Sequence, residues 1–269
     1  MKRILVISDT HCGHETGLTH PDYQVKAQEN PRSDLAKRDN KFRDIQKHVW
    51  NWFSDNVHKD GPFDGIFHLG DNIDGRGDKN GGRELITPSQ QFQCDMALRV
   101  YEAVPLKRNA SIRMVYGTPY HACSGYELWE DLIASGLKRC KIGWREFVDV
   151  NGCIFDLRHK VGRSTVPYGS GTPIARQKVW NQLWAIRGLQ PNANVVLRGH
   201  IHEYNAISKA DWDAISLPAF QWSTDFGAGQ CDGIVNVGYI VFEISEKGEY
   251  VWVKRMCQLQ QLGVTASKL

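Results

Sequence analysis

Short apolar runs separated by polar, glycine-marked stretches set the reading of this chain. Ile4-Leu5-Val6-Ile7 is a run of strand-compatible residues that predicts a buried strand. Residues 63–69, 111–116 and 194–198 carry three further runs of the same kind. Between the first two, Phe42, Ile45, Val49, Trp52, Phe53 and Val57 recur at helical spacing and predict an amphipathic helix over 41–58, ended by Gly61-Pro62. Helices are also expected over 88–103, with Pro88 near the first turn, over 125–137, and over 173–188, with Thr172 as cap and Pro173 at the first position. Asn151-Gly152 between two alternating segments predicts a hairpin with a type I′ turn. From about residue 204 onward the pattern is β-rich, with a hairpin turn at 246–249.

Strand and helix patterns alternate without a linker, a repeat or a low-complexity tract, so one α/β domain over 1–269 is the simplest expectation, with a long polar loop insertion near 13–40. His14 and His20 in that loop are read as solvated rather than as ligands. The composition narrows the class: 41% hydrophobic residues, 23% charged residues and a net charge of +3 describe an ordinary globular chain and give no argument for bulk binding to a long nucleic-acid duplex. Seven cysteines, an odd number with no C-x-x-C pair, argue against a disulfide framework or a structural zinc knuckle and suit a reducing cytoplasm. No apolar run reaches the length of a membrane span or a signal peptide. The nine tryptophans fall mostly on helix or strand patterns, where core packing is the default; Trp222, in a loop, is the one considered for stacking on a base.

The chemistry gathers where the apolar runs stop. The first ends in Asp9-Thr10-His11, the second in Gly70-Asp71-Asn72-Ile73-Asp74, the third in Gly117-Thr118-Pro119-Tyr120-His121. The second hairpin strand delivers His159, and the run at 194–198 enters Gly199-His200-Ile201-His202. Residues i and i+2 of an extended chain share a face, so Asp9 with His11, and His200 with His202, can each reach one point. Open α/β sheets bind their ligands beyond the carboxyl ends of the strands. A mixture of carboxylates and imidazoles without thiolates suits Mn²⁺, Fe or Zn²⁺. Six strong donors exceed what one ion with an open position takes, and suit two ions about 3.5–4 Å apart. Arg76, Lys79, Arg83, Arg163 and Arg198 lie near these loops as candidate phosphate contacts, with solvated charge as the plainer reading, and neither Cys12 nor Cys123 has the paired base a thiol nucleophile needs.

The ordered series Asp9-x-His11, Gly70-Asp71-x-x-Asp74, His159, Gly199-His200-x-His202 resembles the signature of the calcineurin-like metallophosphoesterases, over residues 4–203. The resemblance implies a four-layer α/β/β/α sandwich with two central mixed β-sheets. It implies two divalent metal ions, Mn²⁺ first and Fe, Zn²⁺ or Ni²⁺ as alternatives. Asp9, His11 and His202 would hold one ion, His159 and His200 the other, Asp71 would bridge, and Asp74 would support the site. It also implies hydrolysis of a phosphoester by a hydroxide held between the ions, here read as a phosphodiester of a nucleic acid or nucleotide. The alternatives are a phosphomonoesterase or protein phosphatase of the same family, and a non-catalytic binding module that keeps the fold. The third block departs from the family's Gly-Asn-His-Asp/Glu: Thr118 stands where the Asn ligand is usual and is the candidate metal ligand there, offering only a hydroxyl, a poorer ligand. His121 can then replace that ligand, keep the phosphate-contacting or general-acid role from a shifted position, or merely pack.

Overall fold

A computed structural model describes residues 1–26, 29, 32–78, 81–124, 127–222, 224 and 234–259. In chain order its elements are β1 (Lys2–Ile7), α1 (Asp34–Asp60), β2 (Phe63–His68), α2 (Gln90–Glu102), β3 (Leu106–Val115), α3 (Pro119–Ala122), β4 (Cys123–Ser124), β5 (Glu127–Leu128) and α4 (Trp129–Gly136). They continue with β6 (Cys140–Gly143), β7 (Glu146–Val150), β8 (Cys153–Leu157), α5 (Thr172–Ile186), β9 (Val195–Arg198), β10 (Asn205–Ser208), β11 (Asp213–Ser216), β12 (Val237–Ile244) and β13 (Tyr250–Cys257).

Two mixed sheets result. The first has the order β13-β12-β1-β2-β3-β6, with β1, β2, β3 and β6 parallel and β12 antiparallel to β1. The second has the order β10-β11-β9-β8-β7, parallel from β11 through β8. Period-two alternation along the strands builds the layers. On β1, Leu5 and Ile7 join a core with α1, α2 and α4, through residues such as Phe53, Val57, Met96 and Ile133, while Ile4 and Val6 point the other way. That opposite face meets Phe155, Leu157, Val195 and Leu197 of the second sheet. Val196 and Ala214 turn outward again and pack with Ile174 of α5. The four layers expected from the resemblance are present in that order.

The elements differ from the expected ones in instructive places. α1 begins at Asp34, where the polar stretch was read as loop, because Ser33 caps it by accepting from the Ala36 N–H. The loop before it is not loose: Leu18 and Thr19 are fully buried, and the amide of Leu18 donates to the Thr10 carbonyl at 2.9 Å. α5 is capped by Gly171 rather than by Thr172, and makes no side-chain cap bond. Strand β6 has no counterpart in the expectations. The Asn151-Gly152 turn is as predicted, with φ of 56° and 91°.

α5 also inverts the usual burial. It sinks Lys178 and Asn181, whose polar atoms are met by the Asn192 side chain and by the Ala193 backbone N–H and C=O, and leaves Val179, Trp180, Leu183, Trp184 and Ile186 exposed. Core packing therefore fails as the account of Trp180 and Trp184, and also of Trp144, which is 57% exposed. Trp222 is partly buried against the first core.

Candidate metal centre

The loops that leave β1, β2, β3, β8 and β9 meet beyond the strands' carboxyl ends. After β1 the chain keeps the parallel pairing going without being a strand: the Asp9 amide donates to the Gly70 carbonyl, His11 to Asp71 and Cys12 to Asn72, at 2.9–3.0 Å. The backbone there is left-handed. Asp9, His11, Asp71, His200 and His202 have φ of 51°, 42°, 54°, 78° and 54°. Only two other non-glycine residues among those described share that region. Each such residue costs about 1–2 kcal/mol, so five of them gathered in one site mark a geometry that the surrounding fold enforces. This corrects the simple alternation argument. Asp9 and His11 do converge, but as left-handed residues on either side of Thr10 in the segment beyond β1, not as alternate positions of an extended strand.

Three sets of donor atoms come within 4.8 Å of one another: Asp9, His11 and His202; His11, Asp71 and His121; and Asp71, His159 and His200. In the first set the Nε2 atoms of His11 and His202 face each other at 3.2 Å, and His202 Nε2 lies 3.3 Å from Asp9 Oδ1. Asp74 orients the His11 ring: its Oδ1 takes the Nδ1 proton at 3.0 Å and a second hydrogen bond from Gln221 Nε2 at 3.1 Å. Burial and the neighbouring His121 push the His11 pKa down to about 4, so its imidazole is neutral and Nε2 offers a lone pair. Asp9 is fixed by the Ser8 hydroxyl and by the His200 amide at 3.0 Å from Oδ2. Burial opposes the Asp9 charge, yet His159 and His202 beside it hold the carboxyl well below its usual range.

In the third set, His159 Nδ1 donates to the Leu69 carbonyl at 2.5 Å; a carbonyl only accepts, so Nε2 is the nitrogen that offers a lone pair once the ring is neutral. That Nε2 is buried, 3.1 Å from Asp71 Oδ2, and makes no hydrogen bond. Burial works against a charge on His159, but Asp71 outweighs it and raises the pKa to about 10. Without a competing cation, the imidazole itself serves as counter-ion to Asp71. Buried nitrogens that either face one another or stay unpaired, around two ionised carboxylates, fit a divalent cation as their missing partner.

The third block resolves into two separate roles. The Thr118 amide and hydroxyl both donate to Asp71 Oδ1, at 2.7 and 3.2 Å. His121 Nδ1 donates to the Asp74 carbonyl at 2.6 Å, and its ring stands edge-on to His11 with centroids 4.5 Å apart. His121 therefore lies on the His11 side of Asp71, away from His159 and His200. The site loops pass one another at backbone distance: a Cβ on Gly117 would meet Asp71 Oδ1 at 2.0 Å, and one on Gly199 would meet Ser8 Oγ at 2.2 Å.

Other candidates take no part. His14 is buried, not solvated, with Nε2 3.8 Å from Glu84. His20 caps a short 3₁₀ turn and packs edge-on against Trp50. Arg198 is buried on Asp156 at 2.9 Å, and Arg163 bonds the Ile201 carbonyl at 3.0 Å. Burial drives the Cys12 thiol up to about 12, as a residue that is no nucleophile requires. Lys79 and Cys231 lie outside the described residues. Sequence reasoning passed over Gln221, Asn72, Glu130 and Tyr101, the polar groups that brace the ligands. The Asn72 side of this set was adjacent to a motif, but nothing in the spacing marks the other three.

No family model matches the chain, and no curated protein matches it. Among solved structures it is similar to a novel archaeal phosphodiesterase at 15% identity and a TM-score of 0.42, over 94% of this chain and 99% of that one. A single mutant of Vps29 from Entamoeba histolytica gives 10% identity and 0.41, over 94% and 98%. A predicted phosphoesterase from Streptococcus pneumoniae gives 13% and 0.38, also over 94% and 98%.

Proposed function

We propose that this chain is a binuclear metal-dependent phosphoesterase acting on a phosphodiester, of nucleic acid or nucleotide. The observation that carries the reading is the shared corner: Asp71 belongs both to the donor set with His11 and His121 and to the set with His159 and His200, and His11 belongs also to the set with Asp9 and His202. Asp9, His11 and His202 would hold one ion, His159 and His200 the second, with Asp71 between them. Two such ions supply Lewis-acid polarisation of phosphoryl oxygens and a nucleophile at neutral pH. The chain's own residues do the rest. Asp74 fixes the His11 tautomer, Leu69 that of His159 and the Asp74 carbonyl that of His121. With Nδ1 so held, His121 Nε2 is left to bind a phosphate oxygen or to protonate the leaving alkoxide. His121 keeps this acid role and does not replace the missing Asn, because it stands on the wrong side of Asp71 for the second ion. Thr118, donating both its amide and its hydroxyl hydrogen to Asp71, holds that carboxylate in place.

The test is turnover by metal-stripped protein reloaded with Mn²⁺, Zn²⁺, Ni²⁺ or Mg²⁺, on bis-p-nitrophenyl and p-nitrophenyl phosphate. Metal-dependent hydrolysis favouring the diester is expected. Preference for the monoester would shift the reading to a phosphomonoesterase, and no turnover above Asp71→Asn on either compound would refute the enzyme.

A further inference from the structure

We propose that Glu130 is a positioning residue for the metal centre, fixing Asp71 by clamping together the two loops that hold it; this rests on the binuclear reading above. Glu130 sits in the first turn of α4 and is fully buried. Its partners are N–H groups. Oε1 accepts from the Asn72 amide at 3.1 Å and from the Asn72 side chain at 2.7 Å, and Oε2 accepts from the Gly117 amide at 2.7 Å. Asn72 follows Asp71 in the loop after β2, and Gly117 opens the loop after β3. Thr118 then returns to Asp71 Oδ1 through its amide and hydroxyl. The path Asp71–Asn72–Glu130–Gly117–Thr118–Asp71 is a closed ring of covalent links and hydrogen bonds. Tyr101 locks it from outside by donating to Asn72 Oδ1 at 2.7 Å, which turns the Asn72 NH₂ toward Glu130.

The chemistry of the ring requires a carboxylate. Burying an ionised carboxyl is costly unless hydrogen bonds compensate, and here three donors converge on two acceptor oxygens. Glutamine has the same shape but one acceptor. Whichever way its amide turns, an NH₂ meets an N–H, either Gly117 or Asn72. Gly117 has no slack to absorb the mismatch, as its clearance from Asp71 shows. A displaced Gly117–Thr118 carries Asp71 with it, while Asp9, His11 and His202 are held by other groups. Both ions would feel the shift of the shared Asp71, but the one at Asp9, His11 and His202 would keep three ligands in place, so the larger loss falls on the ion at Asp71, His159 and His200.

The experiment is a Co²⁺ titration of the metal-stripped full chain, followed by calorimetry and by the visible absorption of the bound ion. Wild type is expected to take two Co²⁺ ions. Glu130→Gln, folded by circular dichroism, is expected to bind the second ion about 10–100-fold more weakly, with the first ion less weakened than the second and with a changed visible band. Tyr101→Phe removes only the outer lock and should weaken the second ion about 2–10-fold; it decides the question should Glu130→Gln not fold. Two ions bound by both variants with wild-type affinities and spectrum, or equal weakening of both ions, would overturn the role of Glu130 while leaving the binuclear reading in place. A wild-type chain that takes up no Co²⁺ would instead overturn that reading.

Discussion

The two halves of the site are built from different material. In the half formed by Asp9, His11 and His202, mostly side chains do the bracing: the Ser8 hydroxyl, joined by the His200 backbone amide, holds Asp9, and Asp74, itself held by Gln221, holds His11. In the half formed by Asp71, His159 and His200, backbone does most of the holding: the Leu69 carbonyl fixes His159, and the Thr118 amide fixes Asp71. The first half is already charge-neutral on His11, with a pKa near 4; the second keeps a proton on His159 up to about 10 in the absence of metal. The comparison teaches that two donor sets sharing one carboxylate need not be equivalent. On the binuclear reading proposed above, the second half would have to shed the His159 proton before taking a cation, and Thr118 stands in it where the resemblance implies an Asn, so it is expected to be the weaker site.

Asp71→Asn should break both halves at once, because it removes the one carboxylate they share. Metal content after saturation and desalting is expected to fall for both ions, with turnover at background. Next in size, His121→Ala should leave two ions in place and cut the rate about 10²–10⁴-fold; metal content that dropped with the rate would make His121 a ligand instead. Asp74→Asn should separate the halves, weakening the ion at Asp9, His11 and His202 about 10–100-fold and leaving the other alone. The smallest and most graded difference is in pH. His159 has a folded pKa raised above its ordinary 6.5, so its pairing with Asp71 stabilises the metal-free chain fully below 6.5 and is lost as pH rises through about 10. Metal must displace that proton, so affinity at the second half should fall about tenfold per pH unit below 10. His11 adds no such dependence above about pH 4. Calorimetric titrations at three pH values would show one steep and one shallow site; two parallel profiles would contradict the inequality.

What the sequence discloses follows from the range of the forces involved. The donors Asp9, His11, Asp71, His159, His200 and His202 were legible because apolar runs mark strands and strand ends are where this architecture gathers ligands. Most strands and helices were legible from apolar runs and helical spacing, while their arrangement in four layers came only from the resemblance. The left-handed backbone at five of those donors was not, since it is imposed by loops pairing with loops, as when Asp9 bonds Gly70 across 61 residues. Glu130 and Gln221 were invisible for the same reason: each acts on a residue far away in sequence, and neither belongs to a motif. The early start of α1 was readable in principle from Ser33, but the polar residues that follow masked it. The outward tryptophans of α5 reverse the pattern on which core assignments rest, because Lys178 and Asn181 satisfy their polar atoms on the loop before β9 and take the buried positions.

The central claim is two ions joined by Asp71. It is tested most directly by anomalous scattering from crystals of the chain loaded with Mn²⁺. The account predicts two peaks about 3.5–4 Å apart, one against Asp9, His11 and His202, the other against His159 and His200, with Asp71 touching both. A single peak, or two that do not share Asp71, would contradict it.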